Sequence, residues 1–138
     1  WAKVIRGIES MKLTDKINTL SLSKLPHTWI LDLDGTIVKH NGYKLDGKDS
    51  LLEGAKEFLD SIDENDQIFF FTSRSDEMSE CTEAFLNNHH IRYNGIFYNI
   101  PYGERIVIND NKPSGLEMAI AVEKERDSSI HLKIITDK

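Results

Sequence analysis

Cysteine is nearly missing from this chain. Cys81 is the one thiol in 138 residues, which excludes an internal disulfide framework and any cysteine-rich zinc site. Long apolar runs are missing too: the longest span a handful of residues, such as Ile68–Phe71, far short of the ~20 that a helix needs to cross a bilayer. No basic start followed by an apolar stretch and a small-residue cleavage site appears, so there is no signal-peptide pattern. Positive charge is in deficit, with a formal net charge of -6 and a pI near 5.3. That balance argues against nonspecific nucleic-acid binding as the main role, and any anion must be held by a local site. What remains is ordinary for a globular protein: 39% hydrophobic and 29% charged residues. The length fits one domain and buries roughly two-thirds of the unfolded surface. The chain starts at Trp1 rather than Met, so a trimmed chain or a piece of a longer polypeptide is expected.

Read for periodicity, residues 1–13 place Trp1, Val4, Ile5 and Ile8 at helical spacing. Residues 14–25 stay ambiguous, with Leu20, Leu22 and Leu25 packing on the body of the protein or on something else. Residues 1–27 are therefore set apart as an N-terminal extension or docking segment. Trp29–Leu33 is a near-continuous apolar run ending at an Asp-Gly turn, the pattern of a strand buried on both faces. Residues 39–49 read as a loop or small hairpin. Ser50-Leu-Leu-Glu53 has the form of a capping box, and a helix to about Ile62 follows, with Leu51, Leu52, Ala55, Phe58, Leu59 and Ile62 on its inner stripe. Ile68–Phe71 is a second buried strand. Ser75 or Asp76 caps a helix to about Asn88, with Met78, Cys81, Phe85 and Leu86 on one face. Gly95–Asn99, Arg105–Asn109 and His131–Thr136 read as three further strands, and Ser114-Gly-Leu-Glu117 as the start of a helix to about Arg126. This βα alternation predicts a parallel sheet with helices on both faces. Ligands of such sheets bind beyond the carboxyl ends of the strands.

Three polar clusters follow the apolar runs: Asp32-Leu33-Asp34-Gly35-Thr36, Thr72-Ser73-Arg74 and Asn109-Asp110-Asn111-Lys112. If the sheet is parallel they converge. Together they supply carboxylates, hydroxyls and cations, a donor set that suits a hard divalent cation such as Mg²⁺ beside a phosphate. Cys81 fits helix packing better than nucleophilic chemistry, since no base is paired with it in the sequence. His89 and His90 end a helix and suit its C-terminal dipole.

Asp-x-Asp-Gly-Thr after an apolar strand resembles the signature of the haloacid dehalogenase superfamily. By average residue usage the four fixed positions recur by chance in a chain of this length roughly once in a thousand. Thr72 after Ile-Phe-Phe-Phe resembles that superfamily's second motif, and Asp110 after Ile-Val-Ile-Asn its acidic fourth motif. The resemblance covers about residues 28–136 and sets residues 28–138 as the phosphatase domain. It implies a Rossmann-like three-layer α/β/α sandwich with a mainly parallel five-stranded sheet. It also implies a Mg²⁺-dependent phosphomonoester hydrolase. Asp32 would be the nucleophile that forms an aspartyl-phosphate, and Asp34 the general acid and then base. Thr72 would hold a phosphate oxygen, with Gly35, Thr36, Ser73 and Arg74 around the phosphate. Asp32, Asp34 (through its carbonyl) and Asp110 would hold the metal. The charge-balancing cation of the third motif is open between Lys112, Arg105 and Arg74. Lys112 is preferred, because Arg105 starts its strand at the far end unless the preceding loop folds back. Asn109-Asp110 stands where many members carry two acids or Gly-Asp.

The intervals Thr36–Ser50 and Asn88–Arg105 are short, so no cap domain is expected, and an open site favours macromolecular ends, extended substrates or closure by another subunit. Tyr43, Lys44 and Lys48 would line its entrance. Gly103–Gly115 is similar to small capless phosphatases of capsule and surface-polysaccharide biosynthesis. That similarity implies a sugar phosphate or nucleotide-sugar pathway substrate in the cytoplasm, with no nucleic-acid partner, and a homo-oligomer or a fused or docked partner domain. Transfer to a sugar, as in the superfamily's mutases, is the second enzymatic reading, and an open site works against it because water intercepts the intermediate. Dehalogenation fits less well, since Asp34 suits an oxygen leaving group. A non-catalytic binding domain is the alternative of a different class.

Overall fold

A strand exists only where its backbone groups find partners, and seven short segments do so here. The computed structural model describes residues 10–136. The strands are β1 Met11–Lys12, β2 Thr19–Leu22, β3 Thr28–Asp32, β4 Gln67–Phe71, β5 Gly95–Phe97, β6 Val122–Glu123 and β7 Lys133–Thr136. The helices are α1 Gly42–Leu45, α2 Ala55–Asp60 and α3 Ser79–Asn88, the last preceded by a 3₁₀ turn at Asp76–Met78. All strand pairs are parallel: β3-β4-β5 form a three-stranded sheet, and β1-β6 and β2-β7 form two-stranded sheets. The chain is therefore of the α/β class with parallel strands, distributed over three small sheets.

The sheet β3-β4-β5 has one well-covered face. Trp29 pairs with Ile68 and Leu31 with Phe70, and Ile68 and Phe70 are fully buried. On the opposite face Ile30 is 48% and Phe97 49% exposed. The expectation that both apolar strands are buried on both faces is thus corrected: side chains alternate across a strand, and only one side is packed. The covered face meets Ala55, Phe58, Leu59 and Ile62, four residues of the stripe expected for the helix after residue 50; the other two, Leu51 and Leu52, precede the helix. Leu20 and Leu22 join this same core, so the ambiguous residues before Leu25 do pack on the body, and β2 is bound in register to β7.

Helix α2 starts at Ala55, not at Ser50. The Ser50 carbonyl accepts the Lys39 amide and the Leu52 amide donates to Ile37, so this stretch closes a small antiparallel pairing instead of a first helical turn. Gly54 caps the helix at φ +82, where the Ile130 carbonyl leaves no room for a Cβ. Tertiary contact thus displaced the expected capping box. Helix α3 follows expectation in extent but not in facing: Thr82 and Leu86 point inward, while Cys81 is exposed. The expected Cys81 packing face is corrected accordingly.

The largest departure is at residues 101–121, which form no helix or strand. The expected strand Arg105–Asn109 pairs with no strand among the described residues, and Ile106 and Ile108 are 81% and 92% exposed. The expected helix from Ser114 is interrupted at its first turn by Gly115, held at φ +89 in a turn closed onto the Lys112 carbonyl. The helix expected over 1–13 lies mostly outside the described residues; Met11–Lys12 within it is the strand β1. Among the described residues, no helix is long and apolar enough to cross a membrane.

At the end of the sheet away from the strand-end clusters, Asp66 is 5% exposed. It accepts hydrogen bonds from Trp29 Nε1 at 2.9 Å and the His27 amide at 2.9 Å, and pairs with His27 Nδ1 at 3.1 Å. Burial pushes its carboxyl up, but the bonds from Trp29 and His27 outweigh burial and hold it below the usual range. A depressed carboxyl contributes stability above the unfolded value near 3.9 and loses it as pH falls through the folded value. Asp66→Asn is therefore expected to cost about 1–3 kcal/mol at neutral pH. Chemical denaturation across pH 2–7 reads the difference, and the gap between variant and parent closes below about pH 4.

Candidate functional site

The carboxyl ends of β3 and β4 carry the two clusters that the sequence pointed to, and the structure brings them together. After Asp32 the backbone folds tightly: the amides of Ile37 and Val38 both donate to the Leu33 carbonyl, and Gly35 N donates to Val38 O. This turn sets Asp32 and Asp34 side by side at the sheet edge. Asp32 is partly exposed. Its Oδ2 accepts the Thr36 hydroxyl at 2.9 Å and its Oδ1 the Arg105 guanidinium at 2.9 Å. Thr36 thus holds the carboxylate in one rotamer.

Arg105 overturns an expectation. The pattern predicts it at the far end of a strand unless the loop before it folds back; no strand forms there, and the chain after Gly103 brings its guanidinium onto Asp32. Lys112, the preferred cation, lies instead in the exposed 101–121 segment, where its backbone carbonyl closes a turn. Asp110 lies there too, its carboxylate accepting the Asn109 side-chain amide at 3.5 Å. Neither reaches Asp32, because the strand that was to carry them does not pair.

A second cation was not legible in the sequence. Lys124 Nζ donates to the Gly35 carbonyl at 3.0 Å and to the Glu125 carbonyl at 3.2 Å. Burial pulls this amine below its usual value, against the opposing attraction of Asp127 and Asp32. Asp127 anchors the same segment by accepting the His40 amide at 2.7 Å while its own amide donates to Gly35 O at 2.9 Å. The only sequence signal was position, a lysine in the stretch before the last strand.

Behind Asp34 lies Arg74, whose side chain is 3% exposed. It grips Asp34 in a two-pronged fork, Nε to Oδ2 at 3.0 Å and Nη2 to Oδ1 at 2.8 Å. It also binds Asp49 at 2.8 and 3.0 Å and Thr82 at 2.9 Å. Burial alone would lower the Arg74 guanidinium, but the two carboxylates raise it, so it stays charged. With its donors spent inside the protein, Arg74 holds Asp34 rather than a phosphate. Thr72 is likewise buried, its hydroxyl accepting the Arg74 amide at 3.1 Å. Ser73 donates its hydroxyl to the Ile100 carbonyl at 2.7 Å. The second cluster therefore braces the site from beneath.

The residues do not assemble a cation site in this arrangement. Both Asp32 oxygens and both Asp34 oxygens meet hydrogen-bond donors, and Asp110 stands apart. Among the described residues, no group of three or more His, Cys, Asp or Glu is placed to hold a metal ion. What the geometry offers is a carboxylate at an open edge, fixed by a hydroxyl, with Arg105 and Lys124 beside it and a second carboxylate locked two residues on. No protein-family model, curated protein or solved structure matches the chain.

Proposed function

We propose that the protein hydrolyses phosphomonoesters through an aspartyl-phosphate on Asp32, with a sugar phosphate as the substrate class. The observation that carries this reading is the setting of Asp32. Its partly exposed carboxylate is fixed by Thr36 and flanked by Arg105 and Lys124. A carboxylate repels a phosphate dianion, so attack needs cations already in place to offset the charge. In the first step an Asp32 oxygen forms a bond to phosphorus and the phosphorus–oxygen bond to the sugar breaks. Asp34, acting as general acid, passes a proton to the departing oxygen and is left as the carboxylate. In the second step water attacks phosphorus, the bond to Asp32 breaks, and Asp34 takes the water's proton. The sum is ester plus water giving alcohol plus inorganic phosphate.

The same reading extends to the sheet. Sheet β3-β4-β5 ends at β3, whose outer edge pairs with no strand among the described residues. The uncovered face carries half-exposed Ile30, and the 101–121 segment carries exposed Ile106, Ile108, Met118 and Ile120. Docking of 105–109 on β3 would extend this sheet to four strands, and coiling of the following residues over Ile30 would cover its open face. That docking exchanges the Arg105–Asp32 pair for approach of Asp110 to Asp32, which is how Mg²⁺ would be held. The steps above involve only the chain's own residues.

The test is phosphate release from a panel of sugar phosphates, nucleotides and phosphopeptides, with Mg²⁺ and with EDTA. Turnover with a sugar phosphate preferred, and its loss of more than about tenfold in EDTA, is expected. No turnover on any member sinks the hydrolase reading and leaves a non-catalytic binding domain. Turnover unaffected by EDTA retains the Asp32 chemistry and removes the metal.

A further inference from the structure

We propose that Asp49 is a positioning residue: acting through Arg74, it fixes Asp34 for proton transfer and ties the 36–50 loop to the reacting carboxylates. This rests on the phosphatase reading of the same site.

A guanidinium has five N–H donors in a rigid plane, and each of Arg74's meets an acceptor. Nε goes to Asp34, Nη2 to Asp34 and Asp49, and Nη1 to Asp49 and Thr82. Three separate elements thus converge on one side chain: the turn after β3, the loop before α2, and helix α3. Arg74 and Asp49 are 3% and 7% exposed, whereas Asp34 is 21% exposed. The buried end of the chain of contacts is therefore Asp49, and the open end is the carboxylate that must meet substrate. Tyr43, on the same loop as Asp49, lies with its ring 5.1 Å from the guanidinium carbon and limits its movement from that side.

Two-pronged pairing fixes direction as well as distance. With Asp49 in place the guanidinium plane cannot turn without breaking two charge-assisted bonds. The plane in turn sets the angle of the Asp34 carboxylate. Each Asp34 oxygen keeps a lone pair free of Arg74, and the fork decides where that lone pair points. A misplacement of about 1 Å costs on the order of a hundredfold in rate. Asp49 never touches substrate in this scheme, so its effect appears in turnover rather than in substrate binding.

A buried ion pair with only a structural role predicts a different pattern, and a mutant cycle separates the two. We would measure kcat and KM on the best panel substrate for the parent, Asp49→Asn, Asp34→Asn and the double variant. Each would be verified as folded by its melting curve. Asp49→Asn is expected to lower kcat about 10- to 100-fold with KM within about twofold, and to lower it no further once Asp34 is Asn. Arg74→Lys keeps the charge but loses the fork, and should lower kcat similarly. It is read in place of Asp49→Asn if the latter melts below assay temperature. An unchanged kcat, or the same loss in the Asp34→Asn background, overturns the positioning role and leaves the phosphatase reading intact. A parent without turnover on any substrate overturns both.

Discussion

Asp32→Asn should reduce phosphate release by at least about a thousandfold, equivalent to ~4 kcal/mol of barrier, while barely moving the melting temperature. The two halves of this result have separate causes. An amide is a far poorer nucleophile toward phosphorus and forms no stable acyl-phosphate analogue, so the covalent route closes. Stability, by contrast, draws little from this carboxylate. Its ion pair with Arg105 joins side chains that are 36% and 34% exposed, and solvent-exposed pairs contribute about 0–1 kcal/mol. The Thr36 hydroxyl donates to an amide oxygen as it does to a carboxylate. Substrate binding should hold or tighten, since the amide does not repel the phosphate dianion. The measurement is kcat on the best panel substrate beside a thermal melt. Retention of more than about a tenth of the parent activity by a folded Asp32→Asn protein rejects the aspartyl-phosphate. A large melting shift with parallel loss of activity would show instead that Asp32 acts as a structural anchor.

The uneven legibility of this fold follows from which interactions each segment relies on. β3, β4 and the extent of α3 were readable because local pattern and tertiary outcome agree there: apolar runs of strand length, then a helix ending where His89 Nδ1 meets the Phe85 carbonyl. The start of α2 was misplaced because a side-chain pattern cannot reveal that the Ser50 carbonyl and Leu52 amide are claimed by Lys39 and Ile37. Residues 101–121 show the reverse case. Their apolar pattern is that of a strand and a helix, but a strand needs an edge, and the turn at Gly115 interrupts the first helical turn.

At the site, the residues near one another in sequence were legible and the distant ones were not. Asp32, Asp34 and Thr36 stand within one turn, so an apolar run ending in two acids already announces a polar strand end. Arg74 was visible as a strand-end cation, but whether it faces substrate or protein depends on Asp49 and Thr82, which are 25 and 8 positions away along the chain. Lys124 is 89 positions from the Gly35 carbonyl that holds it. Nothing in its neighbours marks it out, because a lysine in a charged stretch is the commonest surface pattern there is. Asp110 and Asp32 stand apart here for the same reason: bringing them together requires a strand pairing that the sequence pattern alone does not enforce.

Arg74→Met should be the most destabilising single change at the site, costing about 3–5 kcal/mol. Methionine roughly fills the space of the arginine stem, so the loss is electrostatic and not a cavity. Removing the guanidinium leaves Asp49, 7% exposed, and Asp34, 21% exposed, facing each other without a cation. It also removes the Thr82 hydroxyl's donor inside helix α3. Like charges of low solvent access repel, and each has lost two hydrogen bonds. Since α3 and the 36–50 loop meet through this side chain, the damage should spread to both. For a domain of this size the expected fall in melting temperature is roughly 10–20 °C. Chemical denaturation of Arg74→Met gives the cost, and the triple variant Asp34→Asn/Asp49→Asn/Arg74→Met isolates its origin. With the charges gone, the triple variant should recover more than about half of the loss, because uncompensated burial rather than the missing pair dominates. A triple variant no more stable than Arg74→Met would assign the effect to lost hydrogen-bond geometry. A near-neutral Arg74→Met would mean that water reaches the two carboxylates freely and that Asp34 is held by the turn after β3 instead.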